Sequence, residues 1–260
     1  MVYNQKLGAY QLVPPSRNLL SNEEVFATLK ILLESRAFTK KELYPIIDKL
    51  IDCCIPKTEQ QRVSELIGNE KLLYVEPQHK DKFLKKMWEL SGAVREQQEV
   101  SITYRRTDSV QVQRTVQPVG IMFSEFYFYL IAFLTPKDKQ KVKFEIENDP
   151  FPTIYRIDRI KGFTVTDKHF AVPYAKRFEE GEFRKRIQFM YGGHLQRLRF
   201  YFKGSCYEYI LDRLPTAKVV LEDEKGTLIE AEVFGKGIDI WLKSQGELIE
   251  VVSRQELAVN

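Results

Sequence analysis

The sequence predicts an α+β fold, in which a helical bundle precedes a small, strongly bent β-barrel and a second α+β domain. Capping boxes recur ahead of apolar residues at helical spacing in residues 21–95, and the apolar period changes to two from residue 99. Strands then alternate with short helices in residues 195–260. The predicted segments are 1–20, 21–96, 97–170, 171–194 and 195–260, and 260 residues suffice for two or three small domains.

The first segment contains a short β-type stretch, residues 6–12, and a proline-containing connector, residues 13–18. An isolated strand or hairpin is only marginally stable. We therefore interpret residues 1–20 as the end of another structure and a linker, not as a domain.

Three capping boxes mark helix starts in the second segment. They are Ser21-x-x-Glu24, Thr39-x-x-Glu42 and Thr58-x-x-Gln61, and a fourth helix is predicted over residues 81–94. The apolar stripes that follow could form a groove for a partner, but the core of the bundle itself is the more common use of such stripes.

Five short strands are predicted between residues 99 and 157, at about 100–104, 110–116, 127–134, 141–146 and 153–157. So many short strands, punctuated by prolines, are typical of a small barrel. A basic connector with aromatic residues follows, in which we expect a helix near Phe183. Residues 195–260 have the order β-α-β-β-α-β, which predicts a ferredoxin-like domain.

Composition excludes some classes of protein and leaves others open. The net charge of +4 is mild, although residues 151–213 hold 13 Lys and Arg against 7 Asp and Glu. Cys53 and Cys54 are adjacent and Cys206 is the third cysteine, a poor set for disulfides. No secretory signal or membrane-spanning stretch is present in the sequence, so we expect a cytoplasmic protein with reduced thiols and no membrane association.

The motifs of catalysis are absent from the sequence. His79, His169 and His194 stand far apart in predicted loops, without the spacing of metal ligands. There is no phosphate-binding glycine loop and no Gly-x-Ser-x-Gly motif, and Glu179-Glu180 is interpreted as a solvated helix face. We predict a binding and regulatory protein with no catalytic residue, metal or cofactor; an enzyme is conceivable only if the histidines converge.

The predicted barrel is rich in Tyr and Arg. The candidates for ligand contacts among them are Tyr104, Arg114, Tyr129, Arg156 and Arg159, and weaker candidates are Arg105 and Arg106. Guanidinium groups bind phosphate or carboxylate with two hydrogen bonds, and a tyrosine ring offers a face for a base. If these side chains share a groove, it suits an anionic ligand. Alternatively, Asp158 and nearby acids neutralise the arginines in structural salt bridges.

The barrel segment resembles a WYL domain. The resemblance depends on the order and spacing of Ile102-Thr-Tyr104, Arg114-Thr-Val-Gln-Pro118, Phe128-Tyr129-Leu130 and Tyr155-Arg-Ile-Asp-Arg-Ile160. Phe128 stands where the family signature has Trp, so an indole N–H donor is lost. Residues 240–246 resemble the extension that usually follows a WYL domain, and the preceding helical part is also typical of the family.

The resemblance implies a bacterial transcriptional regulator whose Sm-like WYL barrel senses a ligand, such as single-stranded DNA or a nucleotide-like molecule, in a basic pocket. By position it carries over the five main candidates as pocket residues. It also implies a C-terminal domain that contributes to dimer contacts, so a homodimer is expected. The alternatives are a constitutive binder of single-stranded nucleic acid and a scaffold that only dimerises.

Family members normally begin with a winged helix-turn-helix, whose wing ends in a strand similar to residues 6–12. The present sequence starts inside that wing, so the recognition helix is not part of it. Either the sequence is a fragment or a natural truncation, or a partner supplies the DNA-binding part.

We therefore predict that this chain alone does not select a duplex sequence, because such selection needs an element in the major groove. Electrostatics alone gives sequence-independent binding with a dissociation constant of roughly 10⁻⁴–10⁻⁶ M. Competition between random duplex and a duplex selected from a library measures this. A thousandfold preference for one duplex would show that the helical bundle contains a reader.

Overall fold

The computed structural model describes residues 2–5, 8–11, 20–141, 151–172 and 178–257. The chain divides into two compact units, Met1–Lys82 and Phe83–Asn260. The elements of the first unit are strands β1 (Val2–Asn4) and β2 (Ala9–Gln11), which pair antiparallel, and helices α1 (Asn22–Ser35), α2 (Lys40–Cys54) and α3 (Lys57–Leu72). Strand β2 lies within the predicted stretch 6–12, of which positions 6, 7 and 12 lie outside the described residues.

One of the three predicted capping boxes forms. At the start of α1, Ser21 N–H donates to Glu24 Oε2 (2.7 Å) and Glu24 N–H donates to Ser21 Oγ (3.3 Å). The Thr39 prediction is wrong as a box, because the Thr39 hydroxyl donates to the Glu42 carboxylate instead of accepting from the backbone. The third is also wrong, since α3 begins at Lys57 and Thr58 lies inside it.

The apolar stripes of the three helices mainly form the core of the bundle. Most stripe positions at the predicted spacing are buried, and these are Val25, Leu29, Leu33, Leu43, Ile47, Val63 and Ile67. Leu32, Ile46 and Leu50 are half-buried, and Leu66 is 56% exposed. The interpretation as a packed bundle therefore accounts for these stripes.

The second unit begins with helix α4 and a five-stranded antiparallel sheet. Its elements are α4 (Leu84–Arg95), β3 (Gln98–Arg105), β4 (Gln111–Ser124), β5 (Tyr127–Leu134), the short helix α5 (Pro136–Lys139), β6 (Thr153–Arg156) and β7 (Ile160–His169). Helix α4 was predicted within segment 21–96 but lies in the second unit. The strand predicted over 141–146 lies, beyond Lys141, outside the described residues.

The strand order β6-β5-β4-β3-β7 makes β6 and β7 the two edges of the sheet. A 3₁₀ turn of three residues, Ile157–Arg159, joins these edges and is called the corner turn below. A flat sheet of this size separates its edges by about 19 Å, whereas the chain from Arg156 to Ile160 spans at most about 13 Å. The sheet is therefore strongly bent, and the ring of Tyr104 on β3 lies 5.0 Å from that of Tyr155 on β6.

The predicted closed barrel is not formed by the described strands. Strands β6 and β7 do not pair with each other in the described sheet. In a closed barrel, hydrogen bonds would connect these two edge strands, whereas here only the corner turn connects them. Strand β6 has four residues and already pairs with β5, while β7 pairs with β3. The second half of the chain is therefore a bent antiparallel sheet followed by another antiparallel sheet.

The C-terminal part contains the predicted element order β-α-β-β-α-β. Its elements are β8 (Leu195–Phe202), α7 (Glu208–Arg213), β9 (Lys218–Asp223), β10 (Gly226–Phe234), α8 (Gly237–Ser244) and β11 (Ile249–Glu256), with sheet order β11-β8-β10-β9, all antiparallel. Leu198, Phe200 and Trp241 belong to its buried core. Each edge strand carries one extra residue, Val220 in β9 and Val252 in β11, where the register shifts.

The predicted connector helix is present as α6 (Glu180–Arg186). Its Phe183 packs with Met122 and Ile131 of the bent sheet. The prediction of a solvated Glu180 is wrong in part, because its carboxylate accepts the backbone N–H of Ile121 at 3.1 Å. The register of β4 shifts between Pro118 and Gly120, immediately before this contact.

The segment after α6 packs its backbone closely against the turn between β10 and α8. Phe189 and Met190 both adopt left-handed backbone angles (φ +50° and +55°), which cost energy for residues with side chains. Directly after the opposing turn, Gly237 is the first residue of α8, and a Cβ there would overlap the carbonyl oxygen of Gln188. Glycine at 237 therefore permits this contact.

Within the parts of the chain that the structure describes, no helix is both long and apolar enough to cross a membrane. The three cysteines are unpaired, as their number and spacing predicted.

We expect Gly237→Ala to lower the free energy of unfolding by about 2 kcal/mol, because backbone must move to admit the methyl group. The matched control is Gly92→Ala in α4, where the new Cβ meets no atom within 4 Å. Because glycine loses more backbone freedom on folding than alanine does, that variant should be more stable by about 0.5–1 kcal/mol. Chemical denaturation measures both; equal effects would contradict the close contact.

Candidate functional site

The predicted site residues lie on two opposite faces of the bent sheet. Tyr104 pairs with Val112 and Arg114 lies two residues further along β4, so Tyr104 and Arg114 share a face. Tyr129 pairs directly with Arg156, so these two also share a face. Tyr155, whose ring contacts that of Tyr104, is the neighbour of Arg156 on β6 and therefore faces the other way. The described side chains do not bring all five predicted residues into one pocket.

Tyr104, Arg114 and Tyr155 form the inner-face cluster, so named because it continues the face that buries Val100 and Ile102. The Tyr104 and Tyr155 rings meet edge to face at 5.0 Å. Burial raises the pKa of the Tyr155 hydroxyl well above its ordinary value, and the positive charge of Arg114 opposes this effect only in part. Tyr155 is therefore a neutral donor or acceptor at any physiological pH.

Arg114 has no acidic partner among the residues that the structure describes. Its one hydrogen bond there is donated by Nη1 to the carbonyl oxygen of its neighbour Gln113, at 2.9 Å. The side chain is half-buried, so its charge is only partly hydrated. A guanidinium in this state has unused donors for an anion.

Arg159 lies on the corner turn immediately before Ile160, the residue that pairs with Tyr104. It is half-buried and makes no hydrogen bond or ion pair within the described ranges of the chain. Arg105, which follows Tyr104, is exposed, and its side chain also makes no hydrogen bond or ion pair within those ranges. Arg106 differs, because its guanidinium pairs with Asp108 at 3.3 Å on the surface.

Tyr127, Tyr129, Arg156 and Asp158 form the outer-face cluster. Arg156 donates two hydrogen bonds to the Asp158 carboxylate, from Nε at 3.1 Å and Nη2 at 2.8 Å, and its guanidinium carbon lies 3.3 Å from the Tyr127 ring centroid. Asp158 is 6% exposed. Burial raises the pKa of Tyr129 to about 12, although the charge of Arg156 opposes the shift. Arg156 therefore forms a structural salt bridge with Asp158, the alternative to a ligand contact.

Two residues of these clusters were not among the predicted candidates, Tyr127 and Tyr155. Tyr155 begins the Tyr-Arg-Ile-Asp-Arg-Ile motif. Because side chains alternate between the two faces of a strand, Tyr155 lies on the other face of β6 from its neighbour Arg156. A third missed residue, Lys86 of α4, donates from Nζ to the carbonyl oxygens of Ile157 and Ile160. No local pattern reports that contact, since more than 70 residues separate its partners.

The three histidines do not assemble a metal site in the described parts of the chain. The Nδ1 atom of His79 accepts the backbone N–H of Asp81 at 3.0 Å, and His169 pairs with Gln98 at the end of β7. Over the same residues no group of three or more His, Cys, Asp and Glu has the arrangement of a metal site.

Comparison with known proteins identifies one domain. Residues 86–165 match the family model described as the WYL domain, the family that the motifs of this segment predicted. No curated protein sequence matches the chain.

Two solved structures are similar at low identity. Proteasome accessory factor B/C (PafBC) of Arthrobacter aurescens aligns with a TM-score of 0.35 and 12% identity over 88% of this chain and 31% of that chain. A CRISPR Cas-related protein aligns with a TM-score of 0.41 and 14% identity over 91% of this chain and 70% of that chain. The chain thus spans about a third of the PafBC chain.

We expect Arg156→Ala to lower the free energy of unfolding by about 3 kcal/mol, because the buried Asp158 carboxylate loses its guanidinium partner. Arg106→Ala removes the same side chain from an exposed ion pair and should change stability by at most about 0.5 kcal/mol. Urea denaturation of both variants measures the difference. A loss at Arg156 no larger than at Arg106 would contradict the structural role.

Proposed function

We propose that this WYL-domain chain is the ligand-sensing core of a bacterial transcriptional regulator, and that an anionic ligand binds at the inner-face cluster. The ligand is a nucleotide-like molecule or a short single-stranded nucleic acid. The observation that carries the proposal is that Arg114 and Arg159 are half-buried and have no acidic partner in the described residues. Arg114 shares the sheet face of Tyr104, and Arg159 precedes Ile160, the residue that pairs with Tyr104.

The chemistry of these side chains suits a phosphate-bearing ligand. A guanidinium donates two parallel hydrogen bonds to a phosphate, and the partial burial of Arg114 strengthens such bonds because water competes less. The ring of Tyr104 offers a surface for a base, and the neutral hydroxyl of Tyr155 adds a polar contact. Cations that were already neutralised would not favour an anion in this way.

The two remaining main candidates have a different role in this proposal. Arg156 supports the corner turn through Asp158, and Tyr129 is its pairing partner on β5. In this proposal neither contacts the ligand, since a ligand on Arg156 would have to displace a carboxylate held by two hydrogen bonds. Arg105 and Arg106 remain secondary contacts at the exposed end of β3.

We propose a Sm-like arrangement for the bent sheet and a ferredoxin-like one for the C-terminal domain. The strand order β11-β8-β10-β9 with two intervening helices supports the second. We further propose that the protein acts in the cytoplasm as a homodimer, and that this chain alone does not select a duplex DNA sequence.

Two other functions remain candidates. The Arg156–Asp158 pair favours a scaffold that only dimerises, because it follows the pattern of a structural salt bridge. The bent sheet with Arg and Tyr is compatible with a constitutive binder of single strands. A sensor differs from both, because ligand binding changes its conformation.

We expect Arg114→Ala and Arg159→Ala each to weaken binding of a short single-stranded DNA by about 10- to 100-fold, the effect of one charge-assisted hydrogen bond or more. Each should also lower the slope of log affinity against log salt by about 0.7. Fluorescence anisotropy at about 50 and 200 mM salt measures affinity and slope.

The matched control is Arg62→Ala in α3, which removes an equal charge from an exposed ion pair with Glu59. It should change affinity by less than about twofold. A double variant of Arg114 and Arg159 that melts normally and binds as tightly as the wild type would rule out the inner-face cluster.

A further inference from the structure

Helix α4 is fixed at its start against the bent sheet. The Phe83 side chain is 3% exposed, and its ring lies 5.3 Å from the Phe128 ring on β5, which in turn lies 5.0 Å from Phe123 on β4. The carbonyl oxygen of Phe83 accepts the N–H of Met87, so the first turn of α4 begins directly at this anchor. A side chain in that turn therefore has a defined position relative to the sheet.

Lys86 lies in that turn and reaches the corner turn. Its Nζ donates to the carbonyl oxygen of Ile160 at 2.5 Å and to that of Ile157 at 3.3 Å. These carbonyls flank Asp158 and Arg159 at the two ends of the 3₁₀ turn. The Ile157 carbonyl oxygen also accepts the N–H of Ile160 within the turn, so the ammonium group adds a second, charge-assisted donor to it.

The corner turn has supports besides Lys86: the Ile160 N–H donates to the Ile157 carbonyl oxygen, Lys161 Nζ donates to the Asp158 carbonyl oxygen at 3.5 Å, and the Ile157 and Ile160 side chains are fully buried. It is three residues long and connects strands at opposite edges of the sheet. Asp158 is held by Arg156, whereas Arg159 makes no hydrogen bond or ion pair with the described residues. The two Lys86 contacts join this turn to α4, and they bracket the main chain of Asp158 and Arg159.

Positive charge is concentrated at this corner. Residues 156–161 carry Arg156, Arg159 and Lys161 against Asp158 alone, and the ammonium of Lys86 adds a fourth cation. Like charges at such short range oppose one another, and an anion bound beside them reduces that cost. Ligand binding should therefore tighten the contact between Lys86 and the turn.

We propose that Lys86 is the positioning residue of the ligand site: it holds the corner turn so that Arg159 is presented beside Tyr104, and it couples occupancy of the site to α4. This inference rests on the proposed function. Helix α4 precedes the bent sheet within the second unit, so both ends of this coupling belong to the same unit.

The test compares Lys86→Met with Lys85→Met. Lys85 is the neighbouring residue of the same helix, its side chain is 91% exposed, and it pairs with Glu89 at 3.7 Å away from the corner turn. Both variants lose one positive charge, so a difference between them is not a general electrostatic effect. Lys86→Arg retains the positive charge and the hydrogen-bond donors. If the Met variant melts early, Lys86→Gln, which loses the charge but retains a donor, takes its place.

Hydrogen–deuterium exchange of residues 84–95 and 156–161, with and without a short single-stranded DNA, is measured beside anisotropy. In Lys86→Met we expect faster exchange at 156–161 without ligand, about tenfold weaker binding and no ligand-induced protection of α4. Lys85→Met should match the wild type in exchange and bind within about twofold of it. Lys86→Arg should restore both properties.

Two results would overturn the inference and differ from each other. If the wild type binds but Lys86→Met keeps the same affinity and the same exchange at the corner, Lys86 positions nothing. The same conclusion follows if Lys86→Met only lowers the melting temperature. If the wild type binds no single strand at low salt and α4 gains no protection, the proposed function fails, and the coupling fails with it.

Discussion

The corner turn Ile157–Arg159 joins the two edge strands of the five-stranded sheet, and the curvature of the sheet follows from its length. Three residues are too few to cross a flat sheet, so strands β3 and β6 approach until the Tyr104 and Tyr155 rings touch. The same turn carries Asp158 and Arg159, and it is held from one side by Arg156 and from the other by Lys86. Geometry and electrostatics of the site therefore have a common origin.

Local patterns in the sequence predicted most elements and fewer of their details. The period of two predicted strand β3, the dense apolar run at 127–134 predicted β5, and the capping box at Ser21 predicted the start of α1, because these patterns depend on residues close in sequence. The Thr39 box failed since its hydroxyl found a side-chain acceptor instead of a backbone donor. Barrel closure failed because pairing between β6 and β7 depends on strand lengths that composition does not report.

The site was predictable in its residue types but not in its grouping. Neighbours on a strand face opposite sides, so the separation of Tyr155 from Arg156 can be read from the sequence. The grouping of Tyr104 and Arg114 with Tyr155 needs the register of four successive strands, to which no single motif corresponds. Likewise, the neutralisation of Arg156 by Asp158 was conceivable from their spacing, but only bidentate geometry distinguishes it from an open cation.

The extra residues Val220 and Val252 have a consequence for association. A strand can be extended by another chain only if its outward N–H and C=O groups keep a regular spacing, and a bulge interrupts that spacing. Both edges of the C-terminal sheet are interrupted in this way. Two copies of the chain are thus disfavoured from joining their C-terminal sheets edge to edge, and a pair formed through side-chain surfaces of this domain can separate without breaking a ladder of backbone hydrogen bonds.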